Sequence, residues 1–262
     1  MADARAAFAG TRALVTGGGS GIGLAIARRL AGMGAALTLV GRERGKLDEA
    51  VRDLPGEGHD AMACDVGDPA AVAALFGALD RHGRAPQLLV NNAGFAASAR
   101  VQQTPDALWE QTMRVNLSGV FHCTRAALES LLQFPFARVV NVASTAGLIG
   151  YPNVAAYCAA KHGVVGFTRA LALELARTQV TVNVVCPGYV DTAIAAGAIA
   201  SIARSTGRSE AQAREALERR NPQRRLITPE EVAGTVAWLC LPESQSINGQ
   251  AISLSGGEVM TG

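Results

Sequence analysis

The sequence predicts an α/β fold in which a parallel sheet carries helices on both faces. Three observations lead there. Short apolar runs alternate with segments whose apolar residues recur three and four apart, almost from end to end. The runs are continuously apolar rather than alternating, as strands covered on both faces are. Hydrophobic residues make up 49% of the 262, with 29 glycines and 5% aromatics, a mix that suits a close-packed core with tight turns and not a disordered chain. No linker-like segment or internal repeat divides the chain, so residues 1–262 are read as one domain.

The elements follow in order. Residues 13–15 form a short strand ending in glycines, and 22–33 have helical periodicity. Residues 36–40 make a second strand, followed by the charged segment 42–53. Residues 61–66 make a third, after which Asp68-Pro69 open a helix with N-cap and first-turn chemistry. Residues 88–90 form a fourth strand ending in Asn91-Asn92-Ala93-Gly94. A long helix should run from Thr104-Pro105 toward Leu132, with an irregularity near Gly119. A fifth strand (138–143), a helix (155–177) and a sixth strand (180–186) stopped by Pro187-Gly188 follow. Thr228-Pro229-Glu230-Glu231 starts a further helix, and 250–254 is a last strand. Residues 193–225, Ala-rich and then charged, interrupt the alternation and are expected to lie outside the sheet as a helical flap.

Several function classes are disfavoured. A net charge of +2 with no basic run gives no nucleic-acid footprint. Five scattered cysteines (Cys64, Cys123, Cys158, Cys186, Cys240) without a C-x-x-C pair argue against a disulfide framework or a metal site, and fit a cytoplasmic protein. The N-terminal stretch MADARAAFAG does not read as a signal peptide, and no apolar run is long enough to cross a membrane.

Between the first strand and first helix stands TGGGSGIG (16–23). Gly17, Gly19, Ser20, Gly21, Ile22 and Gly23 place backbone close to an anion at a helix N-terminus. The spacing matches neither G-x-G-x-x-G nor the P-loop, and no Gly-Lys-Ser/Thr follows, so a kinase reading is poor. In doubly wound nucleotide folds an acid near the end of the second strand binds the ribose 2′-hydroxyl, whereas an arginine accommodates a 2′-phosphate. Here Gly41 and Arg42 stand there, which favours NADP(H) over NAD(H), although NAD(H) stays possible. Arg42 could instead be a solvated helix-start residue, and Glu43 could turn inward as the acid. Asp65-Val66 falls where an adenine would lie, and Asn92, Ala93 and Gly94 close the fourth strand at the same edge. Either could be turn chemistry alone.

Tyr157-x-x-x-Lys161 is unusual because Lys46 and Lys161 are the only lysines. Three tyrosines and two lysines give an expected count of about 0.02 for the spacing. The plainer reading is a core tyrosine with a lysine reaching solvent.

Together TGGGSGIG, NNAG (91–94), Ser144, Tyr157-x-x-x-Lys161 and Pro187-Gly188 resemble the short-chain dehydrogenase/reductase family, in its single-domain branch, over nearly the whole chain. YCAAKHGVVGFTRALALELA is similar to bacterial ketoreductases acting on 3-oxoacyl thioesters and polyketides. The resemblance implies a doubly wound, seven-stranded parallel Rossmann-type sheet, a nicotinamide cofactor, and a catalytic group of Asn116, Ser144, Tyr157 and Lys161. It places Pro187, Gly188, Val190 and Thr192 beside the nicotinamide. Two positions depart from the family. Ser255, where Asp is common, precedes Gly256-Gly257, and the glycine loop lacks the basic residue of many NADP-dependent members.

The chemistry suits these residue types. Hydride transfer at a carbonyl leaves an oxygen needing a proton partner. A phenol with a pKa of about 10 is a poor base unless a neighbouring ammonium lowers it, so Lys161 is expected to do so. Tyr157 then serves as general acid in reduction and base in oxidation. Lysine's compact ammonium can face both tyrosine and ribose. Ser144 holds the substrate oxygen, and the resemblance gives Asn116 a water linking Lys161 to solvent. For Asn116 a helix-bending asparagine bonding locally is the alternative. His162 is read as packing or a pocket wall, Cys158 and Cys186 as small apolar residues, and Trp109 and Trp238 as packing anchors.

The expected activity is reduction of a ketone or 3-oxoacyl compound with NADP(H). The alternatives are an NAD-dependent secondary-alcohol or 3-hydroxyacyl dehydrogenase and a non-catalytic nicotinamide sensor. Residues 193–225 are expected to form a substrate lid, as in the family, with Ile194, Ile199 and Ile202 as an apolar wall. Arg214, Arg219, Arg220, Arg224 and Arg225 either attract a carrier- or CoA-linked thioester or are solvated helix faces and subunit contacts. The resemblance also implies a homotetramer.

Overall fold

The structure, a computed structural model, describes residues 7–260; the first six residues of MADARAAFAG lie outside the described residues. Seven strands form one sheet: β1 (Arg12–Thr16), β2 (Ala36–Gly41), β3 (Asp60–Ala63), β4 (Leu88–Asn91), β5 (Ala137–Val142), β6 (Val180–Pro187) and β7 (Ala251–Leu254). Their order is β3-β2-β1-β4-β5-β6-β7, and every pairing is parallel. Helices α1 (Gly21–Ala31), α2 (Arg44–Arg52) and α9 (Pro229–Cys240) cover one face. Helices α3 (Pro69–Arg81), α5 (Gly119–Leu131) and α6 (Ala155–Glu174) cover the other. The continuous apolar runs are explained by this sandwich: all eight residues of β6 are buried, as are Leu37 and Leu39 on one face and Leu14 and Leu89 on the other.

Strand order reverses at β1, whose neighbours are β2 and β4. A ligand crevice opens beyond the carboxyl ends of the strands at such a point. The glycine loop leaves β1 there. Thr16 fixes the opposite lip, its Oγ1 accepting from the backbone N–H of Asn92 (2.9 Å) and Ala93 (3.0 Å).

Helix starts match their sequence signals. Asp68 accepts from Ala70 and Ala71 with Pro69 in the first turn, and Thr228 with Glu231 forms a capping box on α9. Three elements depart by more than a residue or two. The third strand stops at Ala63, because Asp65 turns to accept the Gly67 N–H at 2.9 Å. The helix from Ala155 ends at Glu174. The long helix is interrupted: α4 (Asp106–Met113) and α5 flank a π turn at Arg114–Ser118, just before Gly119.

Between β6 and α9 stand α7 (Ala193–Thr206) and α8 (Glu210–Glu218), outside the sheet with their own small core of Ala195, Ile199, Ala213, Leu217 and Leu226. Val190 and Ile227 bridge at the base of this excursion. Asp191 N–H donates to the Ile227 carbonyl and Ile227 N–H to the Tyr189 carbonyl, both at 2.9 Å.

The two tryptophans correct the sequence reading. Trp109 is 44% and Trp238 45% exposed, so neither anchors the core. No helix of the described residues is long and apolar enough to cross a membrane.

Candidate active site

Two adjoining cavities lie at the carboxyl edge of the sheet. The smaller, about 220 Å³, is bounded by Gly17, Ser20 and Gly21 of the loop, Asn92–Gly94, Asn116 and Lys161. The larger, about 530 Å³, is bounded by Ser144, Pro187, Gly188, Val190 and the inner side of α7. Tyr157, Ile22, Phe95, Thr192 and Ile194 border both. The phenol thus stands where a cleft of nucleotide-binding type opens into an apolar chamber.

The loop is built for backbone approach. Gly17 has φ +66°, and a Cβ there would lie 2.9 Å from Asn92 Nδ2. A Cβ on Gly23 would run into the Gly17 carbonyl. Gly19 packs over Leu47. A nicotinamide dinucleotide fits this cradle, which side chains would fill.

The sequence-selected residues around the adenine end are arranged as follows. Arg42 is exposed beyond Gly41 and has no ion pair among the described residues, whereas Arg44 pairs with Asp48 and Lys46 with Glu43. Glu43 therefore faces Lys46 in solvent and does not turn inward. Asp65 accepts from Arg114 Nη1 at 3.0 Å; that bond and the Gly67 N–H hold its carboxyl below the usual range against the opposing effect of burial. Val66 is 6% exposed and packs toward Gly119. Arg114 was not singled out from sequence, because its partner lies 49 residues away.

The catalytic candidates converge. Ser144 caps the turn Thr145–Gly147, accepting from Ala146 N–H at 3.1 Å. Asn116 is fully buried: Nδ2 donates to the carbonyls of Phe95 (3.0 Å) and Thr112 (3.1 Å), and Oδ1 accepts from Phe95 N–H (3.2 Å). Both Asn116 Oδ1 and Lys161 Nζ crowd the space a Cβ on Gly94 would take, at 2.6 and 3.7 Å. Behind them a buried polar chain ties the strands to the helices. Asn91 Nδ2 donates to Thr124 and Asn141, and Asn141 Nδ2 donates to Thr168 of α6. It sets α6, and hence Tyr157 and Lys161, against β4 and β5.

Lys161 does not reach solvent. It is 4% exposed, donates to the Val142 carbonyl at 2.8 Å, and sits 5.7 Å from the Tyr157 ring centre. The expected lowering of the phenol's pKa is not found. Burial pushes Tyr157 up to about 12, with the Ser144 hydroxyl pulling the other way, and burial brings Lys161 down to about 8. The reason is that the Lys161 ammonium is turned to the Val142 carbonyl and not to the phenol, so desolvation outweighs pairing. The phenol accordingly keeps its proton at neutral pH. His162 is another correction: it is exposed, with Nδ1 2.9 Å from the Cys158 carbonyl, and borders neither cavity. Cys186 is buried and Cys158 partly so; all five thiols are unpaired.

Sequence reading missed the far wall of the larger cavity. Tyr151 bonds Thr145 Oγ1 at 2.9 Å and donates to Glu258 Oε1 at 2.8 Å. Ser255 holds the turn that carries Glu258 by accepting from Val259 N–H at 3.0 Å.

Fold and site define a nicotinamide-dependent oxidoreductase. A family model described as enoyl-(acyl carrier protein) reductase matches residues 17–258. A Streptomyces violaceoruber protein assigned as ketoacyl reductase 1 of the granaticin polyketide synthase is 41% identical over 250 residues, 94% of this chain and 92% of the relative. D-beta-hydroxybutyrate dehydrogenase of Rhizobium meliloti is 37% identical over 251 residues, covering 94% and 97%. The crystal structure of an actinorhodin polyketide ketoreductase variant with NADPH superposes with a TM-score of 0.91 at 39% identity, covering 95% of this chain and 97% of the other. The chain belongs to the short-chain dehydrogenase/reductase family.

Proposed function

We propose that this protein reduces the ketone of a 3-oxoacyl or polyketide-type compound, with NADPH preferred over NADH. The observation that carries the reading is the placement of Tyr157, beside Ser144 and the buried Lys161, at the junction of the glycine-lined cleft and the apolar cavity. When bound in that cleft, NADPH supplies the hydride. Ser144 and Tyr157 hold the substrate oxygen, and Tyr157 gives it the phenolic proton. Lys161 steadies the phenolate left behind, and Asn116, close to it, orders the route by which the proton is replaced.

Gly17, Gly19, Ser20, Gly21, Ile22 and Gly23 cradle the phosphates in this reading. Asp65, Val66 and Asn92–Gly94 border the adenosine half, and Pro187, Gly188, Val190 and Thr192 border the nicotinamide. Arg42, unpaired beside two paired cations, is the group free to meet a 2′-phosphate. The apolar cavity, roofed by residues 193–225 as a lid, supports an acyl substrate. For a carrier- or CoA-linked thioester, Arg220 and Arg224 are available. Arg214, Arg219 and Arg225 are already paired with carboxylates. The unpaired thiols support a reducing, cytoplasmic location, and the exposed Trp109, Phe121 and Trp238 support a homotetramer.

One set of measurements tests the reading. Tyr157→Phe should lower kcat with ketone substrates by about 1000-fold while NADPH still quenches protein fluorescence with near-parent affinity. Arg42→Ala should reduce the NADPH-over-NADH ratio of kcat/KM by about 10-fold or more. Near-normal turnover in the first variant sinks the proton-donor assignment. A parent that prefers NADH, with no response in the second variant, replaces the cofactor assignment with NAD(H).

A further inference from the structure

The larger cavity has an electrostatic character that its size does not convey. Among the described residues, no Lys, Arg, His, Asp or Glu side chain borders its roughly 530 Å³. Its polar groups are hydroxyls, those of Ser98, Ser144, Tyr151, Tyr157, Tyr189 and Ser201 among them. A substrate carboxylate drawn into it would lose its water and gain no cation.

One charge behind the wall has the wrong sign for such a substrate. Glu258 is half-buried and has no ion pair among the described residues. Its Oε1 accepts from Tyr151, and its Oε2 lies 3.4 Å from where a Cβ on Gly188 would stand; both Tyr151 and Gly188 border the cavity. Tyr151 is engaged on its other side by Thr145, so its proton is not free for a ligand. Two cations lie near, and the first, Lys161 behind the Tyr157 ring, spends its ammonium on the Val142 carbonyl at 2.8 Å. The Arg220 guanidinium rests on the Tyr151 ring, 5.2 Å from its centre, but it is exposed and does not border the cavity.

We infer that Glu258, set behind Tyr151 and Gly188, is a specificity-determining residue that makes this site accept ketones whose acyl end is uncharged and reject free 3-oxo acids. The inference rests on the ketone-reductase reading and narrows its substrate class to esters, thioesters and simple ketones. It separates this chain from a dehydrogenase acting on a hydroxy-acid anion. Repulsion from a carboxylate so close to the cavity is only partly screened, because protein and not solvent lies between.

The test compares methyl 3-oxobutanoate with the 3-oxobutanoate anion at pH 7, NADPH saturating. In the parent, kcat/KM for the ester should exceed that for the anion by about 100-fold or more. Glu258→Gln keeps an oxygen for Tyr151 to bond and removes the charge. It should narrow the ratio by about 10-fold, the change appearing in KM for the anion. Butanoate, which cannot be reduced, should inhibit ester reduction about 10-fold more tightly in that variant. Equal use of ester and anion by the parent overturns the inference and leaves the reductase reading standing. So does a ratio and a butanoate inhibition that Glu258→Gln leaves unchanged. An anion preference abolished by Arg220→Gln also overturns it, by giving the carboxylate a partner at the mouth. Reduction of neither compound, with NADPH still bound, brings down the reductase reading and this inference with it.

Discussion

Lys161 carries the clearest conflict between stability and chemistry. Its pKa falls from 10.5 to about 8 on folding because the ammonium is buried. The unfolded chain therefore binds more protons between pH 8 and 10.5, so this group's contribution to stability rises with pH across that window and is flat below it. Keeping the charge inside at neutral pH costs on the order of 3 kcal/mol, offset in part by its bond to the Val142 carbonyl. Lys161→Met is expected to raise the unfolding free energy by about 2 kcal/mol at pH 7 in urea titrations, and to lose that advantage toward pH 10.5, while turnover disappears. A parent that outlasts the variant at pH 7 would show that the carbonyl bond outweighs desolvation. The lysine's identity could be read from composition and spacing. The raised pKa of its phenol partner could not, since it depends on where folding points the ammonium.

At the scale of elements, the interrupted helix α4–α5 shows how a local feature is set from a distance. Asn116 sits in the π turn and exchanges two hydrogen bonds with the backbone of Phe95, 21 residues earlier, besides one to Thr112. Removing the side chain leaves partly buried backbone groups of Phe95 without this partner. Asn116→Ala should therefore lower stability by about 2 kcal/mol in urea titrations and speed amide exchange at Phe95 and across Arg114–Ser118. Unaltered exchange there would mean that the turn is held by other contacts. The strands and most helices were legible, because strands covered on both faces are written as continuous apolar runs and caps are local. An irregularity near Gly119 was legible too, but its form as a π turn over Arg114–Ser118 was not, since the bonds that hold Asn116 there come from a loop. The Tyr151–Glu258 pair escaped for the same reason, with 107 residues between its members.

Across the whole molecule, the face a residue occupies depends on neighbours that a single chain does not contain. Trp109 and Trp238 looked like core anchors because large aromatics in amphipathic helices usually are, yet both stand on the surface. With Phe121 on α5 and the half-exposed edge strand β7, they are the material of the proposed tetramer. Phe121→Glu and Trp238→Glu should each reduce the assembly to dimers in sedimentation velocity, and an unchanged tetramer in both would place the contacts elsewhere. The glycine cleft, Ser144, Tyr157 and Lys161 could all be chosen from sequence because each combines a distinctive residue type with a fixed spacing; the wall of the larger cavity uses ordinary residues drawn from at least four separate segments.

The Val190–Ile227 bridge has a consequence for how such an enzyme can diversify. It pins the two ends of the α7–α8 excursion together, so the sheet sees the same closed junction whatever is strung between them. Lengthening that excursion twofold adds only about 0.6 kcal/mol of closure entropy. On the proposed reading, residues 193–225 are an exchangeable cassette: their helices can be rewritten for a new acyl chain while Tyr157, Lys161 and the glycine loop stay where the sheet puts them.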